Sequence, residues 1–263
     1  MSLVFAAITP HPPILIPTIG KDNLSKIEKT KDALSQLEQD LYAAKPDIII
    51  IISPHGDIRP DAFTINLNNE YTVDFEAFGD FSTKLKFKGD TILMSVGKEK
   101  LAAKLPIDIT SQTELDHGSG VPLYYLAQHL PQVRLIPIYF SLLDNQSHLE
   151  FGKGLKEIIM NTDKRIAIVA SGDLSHCLTE AAPVPFNPAG KEFDEKLIAL
   201  LEQGDAQAIV NLDPQLTENA AECGLRSILI LLGALYDINC RTEILSYEAP
   251  FGVGYLVANF KLQ

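Results

Sequence analysis

Three of the six histidines follow apolar runs that read as buried strands. His11, His55 and His176 come just after the segments "LVFAAI", "IIIIIS" and "IAIVAS". In an open α/β sheet, ligands bind at the edge formed by the carboxyl ends of the strands. We therefore expect these imidazoles to meet at one edge, where they could bind a metal ion or transfer protons. Locally, His11 and His55 fit a purely structural role in a strand turn equally well.

The remaining histidines divide into one candidate and two surface positions. His117 lies in the glycine-rich stretch "DHGSGVPL", ahead of a predicted helix, and Asp116 or Glu114 could orient its ring. His129 and His148 lie beside polar residues on predicted helical stretches, so we expect both at the surface.

A carboxylate would complete a metal site with two of these histidines. Two neutral imidazoles and one carboxylate, with open positions, form the ligand set of mononuclear non-haem iron(II) enzymes. Glu248 in "SYEAPFGVGY" is the best candidate because it precedes a proline and a glycine-rich turn between two late strands. The alternative for Glu248 is an exposed glutamate on an edge strand.

Strand and helix patterns alternate along the chain and predict a single α/β domain over residues 1–263. A strand-rich excursion is expected at 62–95 and a helix capped by Asn187 at 187–203. The other predicted elements are strands at 3–8, 46–56, 134–143 and 165–176, helices at 22–44, 117–130, 148–161, 205–212 and 223–238, and a pair of strands within 242–260.

Composition excludes several classes of function. The 263 residues are 46% hydrophobic, carry a formal net charge of −12 and form no basic stripe, which argues against nucleic acid as a partner. No apolar run reaches membrane length, and three scattered cysteines without a CxxC pair argue against a disulfide framework or a zinc ribbon. We therefore expect a cytoplasmic protein that acts on small molecules.

Five short motifs carry a resemblance to a known family. They are "TPHPPIL", "SPH", "DHGSGVPL", "SGDLSH" and "YEAPFGVGY", in that order. Their order resembles the class III extradiol ring-cleavage dioxygenases, in particular the catalytic B-type subunit typified by protocatechuate 4,5-dioxygenase. The resemblance covers nearly the whole chain and implies a mixed central β-sheet flanked by helices.

The resemblance also implies roles for individual residues. His11, His55 and Glu248 would bind Fe(II), His176 would act as acid and base, and His117 with Asp116 would handle protons or contact substrate. The implied reaction uses both atoms of O2 to open a catechol- or aminophenol-type ring beside the diol. The implied partners are a small aromatic substrate and either further copies of the chain or a small accessory subunit.

One motif departs from this pattern and resembles a second group. "AECGLRSIL" places Cys223 before a buried helix, much as in Memo-like relatives of these dioxygenases, where a cysteine in a similar element lies at the metal site. Cys223 is thus an alternative third ligand, and a thiolate favours copper or zinc. The alternatives are a buried, unreactive Cys223, a Memo-like redox or interaction protein without ring cleavage, and a zinc hydrolase using the same histidines without an HExxH motif.

Overall fold

The chain folds into a ten-stranded mixed β-sheet with helices on both faces. The computed structural model describes residues 2–263, apart from the side chain of Lys100. The strands are β1 (Leu3–Thr9), β2 (Ile48–Ser53), β3 (Phe63–Asn66), β4 (Glu70–Phe75), β5 (Asp80–Gly89), β6 (Ile107–Thr110), β7 (Arg134–Tyr139), β8 (Ile166–Ser171), β9 (Cys240–Glu248) and β10 (Tyr255–Leu262).

The α-helices connect these strands and cover the sheet. They are α1 (Pro17–Gly20), α2 (Glu28–Ala44), α3 (Ile92–Ala102), α4 (His117–Leu126), α5 (Asn145–Met160), α6 (Pro188–Gln203), α7 (Ala206–Val210), α8 (Pro214–Ala220) and α9 (Leu225–Ala234). None of them, within the described residues, is long and apolar enough to cross a membrane.

Strand order explains why the histidine-bearing loops meet. The main path through the sheet is β4-β5-β7-β2-β8-β1-β10-β9, with β3 paired to β7 and β6 paired to β3. β7, β2, β8 and β1 are mutually parallel neighbours, whereas β10 runs antiparallel to both β1 and β9. The carboxyl ends of β1, β2, β8 and β9 therefore lie at one edge. The predicted α/β class and mixed sheet are confirmed.

The five isoleucines of β2 show how the sheet is buried on both faces. Ile48, Ile50 and Ile52 belong to the core beneath α5, α6 and α9, and Ile49 and Ile51 belong to the core beneath α2 and α4. Successive side chains of a strand point to opposite faces, so a continuous apolar run is needed here.

Several local predictions need correction. The single helix expected at 22–44 is a 3-10 segment at 21–26 followed by α2, because Ile27 has ψ 33° and interrupts the helix. The sequence did not predict three elements: α3, which begins within the expected strand-rich excursion, β6, which follows it, and α8. The predicted cap is confirmed, since the Asn187 side chain accepts a hydrogen bond from Ala189 N at the start of α6.

His148 is buried, so the expected surface position is wrong. Its ring nitrogens lie 2.7 Å from Asp144 O and 3.0 Å from Ser141 O, and its ring packs edge-on against Phe63. A neutral imidazole carries one N–H, so the ring donates a hydrogen bond to one of these two carbonyls. His129 is exposed, as expected, and pairs with Glu38.

Candidate metal centre

His11 is held rigidly at the end of β1. Its side chain is 2% exposed, and its backbone N–H donates to Asp173 Oδ1 at 2.9 Å. Pro10 and Pro12 fix φ on either side, which limits the backbone freedom of the turn. The prolines restrict the backbone of this segment, and burial and the contact with Asp173 restrict the position of His11.

Hydrogen bonding assigns the tautomer of His11. Its Nδ1 lies 2.9 Å from Ser171 Oγ, and that hydroxyl donates its hydrogen to Gly118 O. Ser171 Oγ must therefore accept from His11 Nδ1–H, which leaves a lone pair on Nε2. This is the arrangement that second-shell partners impose on metal-binding histidines.

Two other donors converge on this Nε2. His55 Nε2 lies 2.9 Å away, and Cys223 Sγ lies 3.7 Å away. The three donor atoms all fall within 4.8 Å of one another. Nitrogen ligands about 2.0–2.1 Å from one metal ion, and sulfur about 2.3 Å from it, lie roughly 3–3.7 Å apart. The two separations from His11 Nε2 and the donor types therefore fit a mononuclear metal ion, and a modest approach of His55 and Cys223 would complete the set.

A tight turn between α8 and α9 delivers Cys223. Ala221 adopts the left-handed conformation at φ 52°, and the following residues reverse toward β8. A Cβ on Gly172 would come within 2.2 Å of Gly224 Cα, so this close approach of the two loops requires glycine. Asp173 N donates to Cys223 Sγ at 3.3 Å. Burial raises the pKa of the thiol well above its usual value.

His117 and His176 join His11 and His55 in one cluster. The His117 ring stacks on His55 at 4.4 Å and meets His11 edge-on at 5.5 Å. Burial lowers the pKa of all four imidazoles, that of His55 to about 4, and neighbouring imidazoles lower His11 and His55 further. All four are therefore neutral at pH 7 and can bind metal or accept protons.

The Asp116 carboxylate caps the start of α4. Its carboxylate accepts hydrogen bonds from Ser119 N at 3.0 Å, from Ser119 Oγ at 3.1 Å and from the Ser53 hydroxyl. This is helix N-capping, and Ser53 ties the cap to the end of β2 two residues before His55. Asp116 positions the segment that carries His117.

Glu248 lies at the same sheet edge but binds a helix. Its Oε1 accepts hydrogen bonds from Thr30 N at 2.7 Å and Thr30 Oγ1 at 2.6 Å, in the first turn of α2. β10 separates β9 from β1, which places the end of β9 roughly 10 Å along the sheet from the end of β1. The donors that the structure brings together are therefore His11, His55 and Cys223.

We did not predict a role for Ser171 or Asp173 from the sequence, although both lie in the quoted motif "SGDLSH". Ser171 fixes the His11 tautomer, and the Asp173 carboxylate comes within 4.0 Å of His11 Nε2. Burial raises the pKa of Asp173 to about 7. The signal was a run of polar residues directly after a fully apolar strand, where water is excluded and polar side chains need partners.

The chain matches a known family over almost its whole length. Residues 5–258 match the family described as "Catalytic LigB subunit of aromatic ring-opening dioxygenase". The chain belongs to this family. Its similarity to "2-aminophenol 1,6-dioxygenase beta subunit" of Pseudomonas sp. is 24% identity, covering 99% of this chain and 94% of that protein. The predicted resemblance is confirmed.

Other family relatives point to the second group or are longer. "MEMO1 family protein Mbar_A1422" of Methanosarcina barkeri is 28% identical over 51% of this chain and 48% of its own length. "Protein CA_C1420" of Clostridium acetobutylicum is 32% identical over 97% of this chain, which spans only 57% of that protein. The crystal structure of an uncharacterized Escherichia coli K12 protein, JW3007, shares the fold, with a TM-score of 0.67, 20% identity, and coverage of 97% of this chain and 99% of that one.

Proposed function

We propose that this chain is a metal-dependent redox protein that holds one metal ion through His11, His55 and Cys223. The observation that carries the proposal is the convergence of these three donor atoms within 4.8 Å, with His11 Nε2 left free by Ser171. Imidazole and thiolate donors together favour copper, and they also accept zinc or iron. Glu248, engaged at α2, is the weaker candidate for the third ligand.

The chain's own residues equip the site for proton transfer. A bound copper or iron ion would supply one-electron exchange with a ligand or with O2. His117 and His176, neutral at pH 7, would accept a proton from a ligand hydroxyl on the open side of the centre. Phe78 meets the His117 ring edge-on at 5.0 Å and offers an apolar wall for a planar ligand.

Ring cleavage is the second candidate function, and the family membership and the extra imidazoles favour it. In this case the site would take Fe(II), O2 and a catechol- or aminophenol-type ring, with His176 as acid and base and His117, held by Asp116, near the substrate. The relative named a beta subunit supports a further proposal, that the domain over 1–263 works with copies of itself or with an accessory subunit.

Metal loading with a matched pair of variants tests the proposal. The protein is loaded anaerobically with Cu(I), Fe(II) or Zn(II), and bound metal is measured by atomic absorption for the wild type, Cys223→Ser and Glu248→Gln. We expect one metal per chain, lost or at least tenfold weaker in Cys223→Ser and retained in Glu248→Gln. The reverse pattern would overturn the ligand assignment.

Activity separates the two candidate functions. O2 uptake and the colour of ring-opened products are followed with catechols, aminophenols and gallate-like acids. Uptake with ring-opened product on Fe(II) supports the dioxygenase, and His176→Ala should then keep iron and lose turnover. A tightly bound, redox-active copper without ring opening supports the redox protein.

A further inference from the structure

A cavity lies on the α5 and α9 side of the sheet, and the segment directly before Cys223 forms part of its wall. It has a volume of about 790 Å³ and is lined by the loop after β7, the start of α5, and the α8–α9 turn with the first turn of α9. Ala221 and Glu222 line it directly before the proposed ligand Cys223, and Arg226 lines it three residues after. The segment 221–226 therefore contributes residues both to the candidate metal centre and to this cavity.

Arg226 is the distinctive group of this cavity. Its Nε is fully buried, and no described residue accepts a hydrogen bond from it. No ion pair joins its guanidinium to a carboxylate among the described residues, and its charge acts from a longer distance on the Glu222 carboxyl, whose pKa burial raises to about 7 and Arg226 lowers in part. The guanidinium lies over the Phe140 ring at 5.6 Å, and Phe140 in turn packs against buried His148. A half-buried cation beside an aromatic ring, with a buried Nε–H that lacks an acceptor, is prepared for an external anion.

The acidic residues of the cavity limit which anion fits. Asp144 Oδ1 accepts from Ser147 N, and Glu222 Oε2 accepts from Leu225 N, so each is directed to a helix start. Glu218 is exposed at the rim. Because three carboxyl groups line the cavity and only one guanidinium does, a phosphate dianion would meet more repulsion than a single carboxylate, which can pair with the planar fork of Arg226.

We infer that this cavity binds a small monocarboxylate ligand through Arg226, with its apolar part against Leu142 and Val210. Calling this ligand a substrate of the neighbouring centre rests on the proposed function, but the carboxylate site itself does not. The site would select carboxylate-bearing rings over neutral ones, because a neutral ligand leaves the guanidinium unpaired.

Calorimetric titration with benzoate, its neutral isostere benzamide and phenylphosphonate tests the site. We expect saturable binding of benzoate, weaker binding of the other two, and at least a tenfold loss of benzoate affinity in Arg226→Gln. Arg226→Lys should lose part of the affinity, since an ammonium cannot form the paired hydrogen bonds. Arg59→Gln is the matched control, because Arg59 lies after β2 at the same sheet edge and already pairs with Asp57 at 2.9 Å.

Two further measurements keep the outcomes distinct. Arg226→Gln should keep the wild-type metal content, and its melting temperature, measured in parallel, shows that the variant is folded. His55→Ala should lose metal and keep benzoate binding, so that failure of the metal proposal leaves this one testable. No benzoate binding to the wild type, binding within twofold in Arg226→Gln, or equal binding of benzamide would overturn the inference.

Discussion

Replacement of Glu248 separates a helix-anchoring role from a ligand role. Its Oε1 accepts two hydrogen bonds from Thr30, whose side chain is fully buried at the start of α2. α2 packs against β1, β9 and β10, so this contact joins the helix to the sheet. Removing the carboxylate should therefore weaken the fold and leave the metal donors in place.

The size of the effect follows from the two hydrogen bonds. A hydrogen bond to a charged group contributes about 1.5–3 kcal/mol, and a lost helix cap costs about 0.5–2 kcal/mol. Because the two bonds share one oxygen, Glu248→Ala should lower the free energy of unfolding by about 2–4 kcal/mol. Glu248→Gln keeps an acceptor and loses the charge, so about 1–2 kcal/mol is expected. For a chain of this size, the larger loss lowers the melting temperature by roughly 5–15 °C.

Urea and thermal unfolding of the metal-free protein provide the assay, with metal content measured in parallel. Glu243→Gln is the control, because Glu243 lies on the same strand and makes only a 3.6 Å surface pair with Lys261; it should change stability by less than about 1 kcal/mol. If Glu248→Gln lost its metal while its metal-free stability matched the wild type, Glu248 would be a ligand and the reasoning from Thr30 would fail.

Three further predictions concern the metal centre and a buried histidine. Burial keeps the Cys223 thiol protonated, so metal binding near pH 7 should release one proton, which a titration in weak buffer would detect. The affinity for the metal should then rise about tenfold per pH unit. Cys223→Ser should remove both effects. Ser171→Ala frees the His11 tautomer and should weaken metal binding about 10–100-fold in competition with a chelator, with no change if Nδ1 has no role. Burial lowers the pKa of His148 to about 4, so below pH 6.5 the unfolded chain takes up the proton first and stability falls as pH drops from 6.5 to 4. Urea unfolding over that range should show a slope shallower by up to about 1.4 kcal/mol per pH unit in His148→Gln than in the wild type, and equal slopes would contradict the assignment.

The sheet was predictable because its central strands are continuous runs of apolar residues. Five consecutive isoleucines are all buried only when helices cover both faces of the sheet. The strands that end at Thr9, Ser53 and Ser171 lie where the apolar runs predict them. α3 was missed because its exposed face carries Ile92 and Val96, which blur the polar-apolar alternation that marks a surface helix. His148 was misplaced because polar sequence neighbours reveal nothing about carbonyls at the end of another strand.

The candidate site was predictable in part for the same reason. Parallel neighbouring strands carry His11, His55 and His176 to one edge, so sheet topology alone brings them close. The proposed third ligand depends on side-chain direction. β9 also ends at this edge, but it lies two strands from β1, and its Glu248 turns to α2. Neither the strand separation nor the partner Thr30, 218 positions away, can be read from the local sequence.

Cys223 reaches the centre by a route that strand patterns do not describe. Its turn depends on a left-handed Ala221 and on glycines at 172 and 224 that let two loops touch, so the thiol arrives from a helix connection while both imidazoles arrive from strands. Asp173 links the two sources, since it receives the His11 amide through its carboxylate and donates its own amide to the Cys223 sulfur. A change at Asp173 should therefore disturb the imidazole and the thiol together, whereas a change at Ser171 disturbs the imidazole and the start of α4 but not the thiol.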